Sequence, residues 1–465
     1  MLELTFDEVI KATGAELIGQ LPDDTNYFPT ISIDSRTVQP KQAFFAIEGE
    51  RHDGHDFVED ALKKGASTIV VSSLPDPSEA WKNRTCLRVQ NTISALQDLA
   101  RLSRMTWGKP VVAITGSMGK TTTRVFTSTL LSQHFNVLQS PANFNNNIGV
   151  PLSLLELEFN HDIAVLELGM NHPGEIRDLG KICVPDAAVI TNVGPVHLEF
   201  FSSVDEIARA KEELLETVIE GGTFFANADD PRVSEMARQY PGTVVSFGFQ
   251  ESAEFRVTYF DLKSPFEMEF EIKTPERYLR ASVPFAGKHL LYNIVASVSV
   301  ATVNGLPWQE ISAGLSLLRT LPKRGQLLRL NGVTIWDESY NSNPIAVECL
   351  LETAVNLREF GRIILILGDM LELGKDSPSL HYRLGNKVSN LNPNWLLTVG
   401  ADSKQIQAGA VDSGMPVAKC AHFQNSDQTA EFLQGILQPE DLLIVKGSRG
   451  IQLDRIVDTI RRARV

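Results

Sequence analysis

The chain has 465 residues, 43% hydrophobic and 22% charged, with 43 Lys and Arg against 57 Asp and Glu, a net charge of −14. These figures exclude a disordered chain, a collagen-like chain and a small disulfide scaffold, and the length allows about three domains. So acidic a chain is a poor non-specific binder of nucleic acid or anionic membrane, which needs a Lys/Arg excess, although a nest of backbone amides takes a small anion whatever the net charge.

The chain opens on MLELTFDEVIKATGAEL, with acids spread through it and no basic stretch ahead of an apolar run. It does not read as a signal peptide, and no uncharged apolar stretch is long enough to span a membrane. Cys86, Cys183, Cys349 and Cys420 are far apart and form no CxxC pair, so reduced thiols in a cytoplasmic, monomeric protein are expected.

In residues 1–106, ISIDS (31–35), QAFFAI (42–47) and STIVVSS (67–73) read as strands, and FVEDALKKGA as a helix ending at Gly65. WGKP (107–110) reads as a linker. In residues 107–320, VVAIT (111–115), IAVLEL (163–168) and AAVITNV (187–193) are unbroken apolar runs, as strands covered on both faces require. Alternating segments within 252–285 predict an antiparallel appendage, and 287–305 a helix with small residues. In residues 321–465, VTIWD, RIILILGD, WLLTVG and DLLIVKG predict a second buried sheet. The expected fold class is α/β in three domains, 1–106, 107–320 and 321–465.

The sharpest motif is TGSMGKTTTR, Thr115 to Arg124, between a strand and a helix. Its glycines let the backbone wrap a phosphate, and the helix N-terminus adds positive potential. Thr115, Gly116, Ser117, Met118, Gly119, Lys120, Thr121 and Thr122 are therefore candidate phosphate-loop residues. Lys120 would bridge terminal phosphates, and the Thr121 hydroxyl would ligate magnesium. The match is to the short GxxGKT form, since Ile114 stands where the longer pattern has glycine. The only Asn-Lys pair, Asn386-Lys387, is followed by Val388 and Ser389, so the guanine-reading NKxD of a GTP switch is absent.

Three groups stand near strand ends, where open α/β sheets bind ligands. Glu167 closes an apolar run and is either a magnesium ligand or a hydrogen-bonded structural acid. His197 follows the Gly194-Pro195 turn and is either a metal or phosphate contact or an ordinary loop histidine. Lys211 sits in the apolar stripe of a helix starting at Ser202 or Ser203, among Val204, Ile207, Ala208, Leu214, Leu215 and Val218. It either snorkels or loses its charge. A neutral amine there takes up carbon dioxide as a carbamate, an oxygen ligand for a second cation.

Together these residues resemble the Mur ligases, ATP-dependent amide-bond-forming enzymes of bacterial cell-wall synthesis. The resemblance runs from DSRTVQPKQAFFAIEGERHDGHDFVEDALKKGA (34–66) through TGSMGKTTT, NFNNNIGVPLSLL (143–155), LELGMNHPGEI (166–176) and NVGPVHLEFFSSVDEIARAKEE (192–213) to DESYNSNP (337–344), LGDMLELG (367–374) and VKGSRG (445–450). It implies a uridine-nucleotide-binding N-terminal domain, a central P-loop ATPase sheet and a C-terminal Rossmann-like domain. It also implies ATP and two magnesium ions, Thr121 and Glu167 serving the first and His197 with a carbamylated Lys211 the second. Asn293 would lie near adenine, and Arg324 and Asp337 would close over the nucleotide. Ser35 and Arg36 would meet the uridine diphosphate, and Asn143 and Asn146 the sugar-peptide. LGDMLELG and the YNSNP box imply the member that joins UDP-muramoyl tripeptide to D-alanyl-D-alanine through an acyl phosphate.

The sequence departs from the family's NNEIG at Asn147, and His289-Leu290 replaces its HN pair, so only Asn293 carries over there; Arg124 stands where lysine is common. Two other readings stay open: a ligase of the same architecture acting on another muramoyl peptide or on folate, and a regulatory protein with weak ATPase activity.

Overall fold

A computed structural model describes residues 2–22, 25–49, 52–74, 84–141, 143–357 and 361–462. Three sheets follow one another along the chain, of five, nine and six strands. In the first, Ile31–Ser32, Ala43–Phe45, Thr68–Val71 and Thr85–Arg88 run parallel, and Glu16–Ile18 closes the far edge antiparallel. The strand expected over 31–35 stops at Ser32. The Asp34 carboxylate accepts from the Arg36 amide at 2.9 Å, a local turn that competes with the ladder.

The central sheet has Val111–Thr115 between Ile163–Glu167 and Ala187–Ile190, all parallel. Alternate residues of Val111–Thr115 enter opposite cores: Val111 and Ala113 pack with Leu166 and Ile190, while Val112 and Ile114 pack with Phe126 and Val165. Burial on both faces is why these runs have no polar alternation. The expected antiparallel appendage is formed by Phe255–Ser264, Glu267–Lys273 and Tyr278–Val283. Helix Lys288–Val303 lies against helix Lys120–Leu131, joined by the Thr127 and Ser297 hydroxyls at 3.0 Å. The third sheet places Val333–Glu338, Leu442–Lys446, Ile363–Gly368 and Trp395–Val399 side by side and parallel. No helix among the described residues is long and apolar enough to cross a membrane.

Helix Thr92–Trp107 binds the first sheet's domain to the second. It starts at Asn91, whose side chain accepts from the Ser94 amide, and ends at Gly108 with φ 68°. Near its end the buried Arg104 donates to the Cys183 and Val184 carbonyls and to Asp186, at 2.9, 3.0 and 2.8 Å. Asp186 also accepts from the Val111 amide, at the start of the central strand. Arg104→Ala would strand two carbonyls and a carboxylate, a loss of roughly 2–4 kcal/mol. The expected result is a lower urea midpoint for the transition that includes these two sheets, followed by circular dichroism.

Candidate active site

The carboxyl ends of the central strands open into a cavity of about 1570 Å³. Its floor is the glycine loop. Gly116 has φ 149° and Gly119 φ 78°, and a side chain at either would collide with Thr191 or Asn293. Asn192 grips the loop. Its carbonyl accepts from the Ser117 amide, its Oδ1 from the Met118 amide, both at 3.0 Å, and its Nδ2 donates to the Met118 carbonyl at 3.2 Å. Helix Lys120–Leu131 starts from Gly119 without a side-chain cap, and its first internal bond runs from the Thr123 amide to the Gly119 carbonyl. The amides of Lys120, Thr121 and Thr122 are the orphan donors of that turn, a ready site for an anion. Gly116→Ala is therefore expected to raise the Kd for MgADP by about a hundredfold in calorimetry while the far-ultraviolet circular dichroism is kept.

The Lys120 ammonium donates to the Gly116 carbonyl at 2.7 Å. Burial pushes its pKa down, the Glu167 charge pulls it up, and the Arg324 cation pushes it down. Glu167 is 2% exposed at the end of its strand. Oε1 accepts from the Asn145 side chain at 2.9 Å, whereas the buried Oε2 has no hydrogen-bond partner and lies 3.6 Å from Arg124 Nε. One oxygen is thus hydrogen-bonded and the other is ion-paired with the buried Arg124.

Lys211 is 2% exposed. Among the described residues its Nζ has no hydrogen-bond or ion-pair acceptor, and burial, then the Lys120 cation, push its pKa well down. The burial that the apolar stripe implied is present, and burial favours the neutral amine. The helix carrying it runs Val204–Glu212, with the Ser203 hydroxyl accepting from the Glu206 amide. It is shorter than the stripe suggested. Glu213 turns away to accept from the Gly174 and Arg177 amides at 2.9 and 3.2 Å, capping helix Glu175–Cys183. Leu215 then falls in a short 3-10 turn, Leu215–Thr217.

His197 has φ 55° and faces the third domain, its Nδ1 2.5 Å from Glu372 Oε2. Arg324 stacks on Tyr340 at 3.7 Å and lines the cavity. Asn293 donates to the Thr123 hydroxyl at 2.9 Å and to the Gly119 carbonyl at 3.4 Å, bracing the start of the phosphate-loop helix. Asn143 and Asn146 are on the cavity wall, and the Asn146 oxygen accepts from the Gly149 amide at 2.8 Å. Gln97 of the first domain reaches the Asn147 carbonyl at 3.0 Å, so the asparagine loop lies at that junction.

Six of the expected residues are not among those lining the cavity: Gly116, Lys211, Thr115, Asp337, Ser35 and Arg36. Thr115 is fully buried under the loop, with no partner for its hydroxyl. Asp337 is 3% exposed and accepts from the Ser339 amide and hydroxyl at 3.0 and 2.6 Å. Its neighbour Glu338 is the acid on the wall. Burial alone would raise the Glu338 pKa, but Lys446 at 3.3 Å and His289 at 3.7 Å hold it down at about 2. Ser35 and Arg36 are in the first domain, where Arg36 is forked on Asp34 and Lys64 donates to both their carbonyls at 2.8 Å. Sequence reasoning missed Asn145, Asn192, Glu338, Glu372 and Lys446. Lys446 ends an apolar run as Glu167 does, and that signal was readable; the others show only once the loops are folded. Among the described residues no three His, Cys, Asp or Glu side chains converge as a metal cage.

The chain was compared with known proteins. The family description "Mur ligase family, catalytic domain" matches residues 28–104, "Mur ligase middle domain" residues 114–301, and "Mur ligase, glutamate ligase domain" residues 323–449. The chain belongs to the Mur ligase family. It is 31% identical over 430 residues to the UDP-N-acetylmuramoyl-tripeptide--D-alanyl-D-alanine ligase of Bacillus subtilis, covering 92% of each chain. It superimposes on crystal structure I of MurF from Acinetobacter baumannii with a TM-score of 0.91 at 29% identity, over 100% of both chains. MurF ligase from Thermotoga maritima in complex with ADP gives a TM-score of 0.83 at 27% identity, over 94% of this chain and 97% of that one. The three-domain α/β architecture expected from the sequence is that of these Mur ligases.

Proposed function

We propose that this chain joins a UDP-N-acetylmuramoyl tripeptide to D-alanyl-D-alanine, cleaving ATP to ADP and phosphate. The observation that carries the reading is the single cavity onto which the phosphate loop, the asparagine loop and the 338–343 segment of the last domain all open. Its volume exceeds the roughly 300–1,000 Å³ of a one-ligand pocket, leaving room for a nucleotide beside a sugar-peptide. The full-length similarity to D-alanyl-D-alanine ligases supports the choice of substrates.

The tripeptide carboxylate attacks the γ-phosphorus, forming a P–O bond as the bond to ADP breaks. The dipeptide amine then attacks the acyl-phosphate carbon, phosphate leaves, and the amine proton is lost. The difficulty is bringing an anion to a polyanion. Lys120, the amides of residues 120–122 and Arg324 offset that repulsion with fixed positive charge. Asp337 shapes the turn that places Tyr340 under Arg324. Thr121 and Glu167 would hold the magnesium carried by ATP, and His197 with Lys211 a second; such ions neutralise charge on phosphate and carboxylate oxygens. Lys211 takes part as a carbamate: its neutral amine bonds to the carbon of CO₂ and one proton leaves. The burial of the Lys211 amine, with no acceptor beside it among the described residues, supports that role.

Asn293 we assign to the adenine side, Asn143 and Asn146 to the sugar-peptide, and Ser35 and Arg36 to the uridine diphosphate. We divide the chain into units at 1–106, 107–320 and 321–465, and read it as a cytoplasmic monomer. The test is phosphate release with ATP, the meso-diaminopimelate and lysine muramoyl tripeptides and a panel of amines, with products weighed by mass spectrometry. Ligated product with D-alanyl-D-alanine is expected. Product with single amino acids instead would point to another ligase of this architecture, and ATP hydrolysis without any ligated product to a regulatory ATPase.

A further inference from the structure

The LGDMLELG segment meets the His197 loop at Glu372, through both its side chain and its backbone. Glu372 Oε2 lies 2.5 Å from His197 Nδ1, and the Glu199 amide donates to the Glu372 carbonyl at 3.2 Å. Both partners are held in the left-handed region, His197 at φ 55° and Glu372 at φ 63°. Such backbone is costly for residues other than glycine and persists only where the surroundings over-determine it. On the Glu372 side they do. The Met370 amide donates to the buried His381 Nε2 at 2.9 Å, and the Leu371 amide to the Ser448 hydroxyl at 2.9 Å. The segment is pinned at consecutive amides, and the pinned turn delivers the carboxylate across the domain junction.

We propose that Glu372 is a positioning residue for His197, supplied by the last domain to the metal-binding face of the central one. A carboxylate only accepts, so the proton of this hydrogen bond sits on Nδ1. That fixes the ring's orientation and leaves Nε2 as the ring nitrogen with a lone pair for a cation. Metal-bound histidines are commonly held this way, and removing the outer carboxylate costs about 10–100-fold in metal affinity. Here the carboxylate belongs to a different domain from the ligand. Full strength at the second cation site therefore requires the last domain to be seated, which ties that site to arrival of the domain.

The inference rests on the proposed ligase reading. The test is equilibrium binding of Mn²⁺, followed by electron paramagnetic resonance, to the full chain with a non-hydrolysable ATP analogue and the muramoyl tripeptide. Glu372→Ala is expected to weaken one of the two Mn²⁺ sites about 10–100-fold, the same site that His197→Ala weakens, and leave the other site and the affinity for the analogue unchanged. Glu372→Gln, whose amide oxygen still accepts from Nδ1, is expected to stay within about threefold of wild type. In a His197→Ala background, Glu372→Ala is expected to change nothing further, as a double-mutant cycle for one shared interaction requires. Equal Mn²⁺ affinity in wild type and Glu372→Ala, or an additive effect in the His197→Ala background, overturns the inference. A wild-type chain that makes no ligated product overturns the ligase reading instead, and the two failures are seen in different assays.

Discussion

Lys120→Ala is expected to lose at least about a thousandfold in turnover, measured as ligated product per enzyme by mass spectrometry. Its ammonium is buried at the loop carbonyl of Gly116 and shares the cavity with Glu167 and Arg324. Charge stabilisers that act in a water-poor site are each worth about 10²–10³ in rate. This one acts on the step with the greatest repulsion, attack of a carboxylate on a triphosphate. Lys120→Arg is not expected to restore activity. The longer planar guanidinium needs a fork of acceptors, whereas the loop offers one carbonyl to a point charge. Turnover within tenfold of wild type in Lys120→Ala would remove the phosphate loop from the chemistry.

Lys211→Ala is expected to lose about 10²–10³ in turnover without losing the fold. The Lys211 amine is buried with no acceptor beside it among the described residues. A charged lysine there would carry an uncompensated desolvation cost, so burial favours the neutral form. A neutral amine that carbon dioxide reaches would become an anion with two oxygens. Carbon-13 NMR on enzyme equilibrated with labelled bicarbonate should show one carbamate resonance in wild type and none in Lys211→Ala. Short-chain carboxylates such as acetate should restore part of the lost activity, because they supply the missing oxygens. Full activity in Lys211→Ala would end the carbamate reading, and so would a wild-type enzyme without the resonance.

The expected chemistry was legible where a charged residue interrupts an apolar pattern. Glu167 ends a strand buried on both faces, and Lys211 interrupts the buried stripe of a helix; each is 2% exposed. Burial of a charge is visible in one dimension, because the pattern around it says which face it must occupy. The glycine turn was legible for a similar local reason, since only glycine suits φ 149° beside Thr191. Choices among neighbouring polar residues were not legible. In NFNNN it is Asn145 that holds Glu167, and in DESY it is Glu338, not Asp337, that faces the cavity. In both segments the chain leaves regular structure, and a turn decides which of several adjacent side chains points inward. Helix length failed likewise at Glu213, whose partners belong to a helix some forty residues earlier in the chain.

The three-point hold of Asn192 on residues 117 and 118 has a consequence for energetics. The turn arrives already shaped, so little ordering entropy is charged when ADP or ATP docks. Nucleotide association should accordingly be quick and mainly enthalpic, and the sluggish stage of the cycle should lie in swinging the last domain into place. Compounds that merely imitate the triphosphate would then compete with abundant cellular nucleotide for a socket that is always ready, whereas a wedge lodged at the domain seam would meet no such rival.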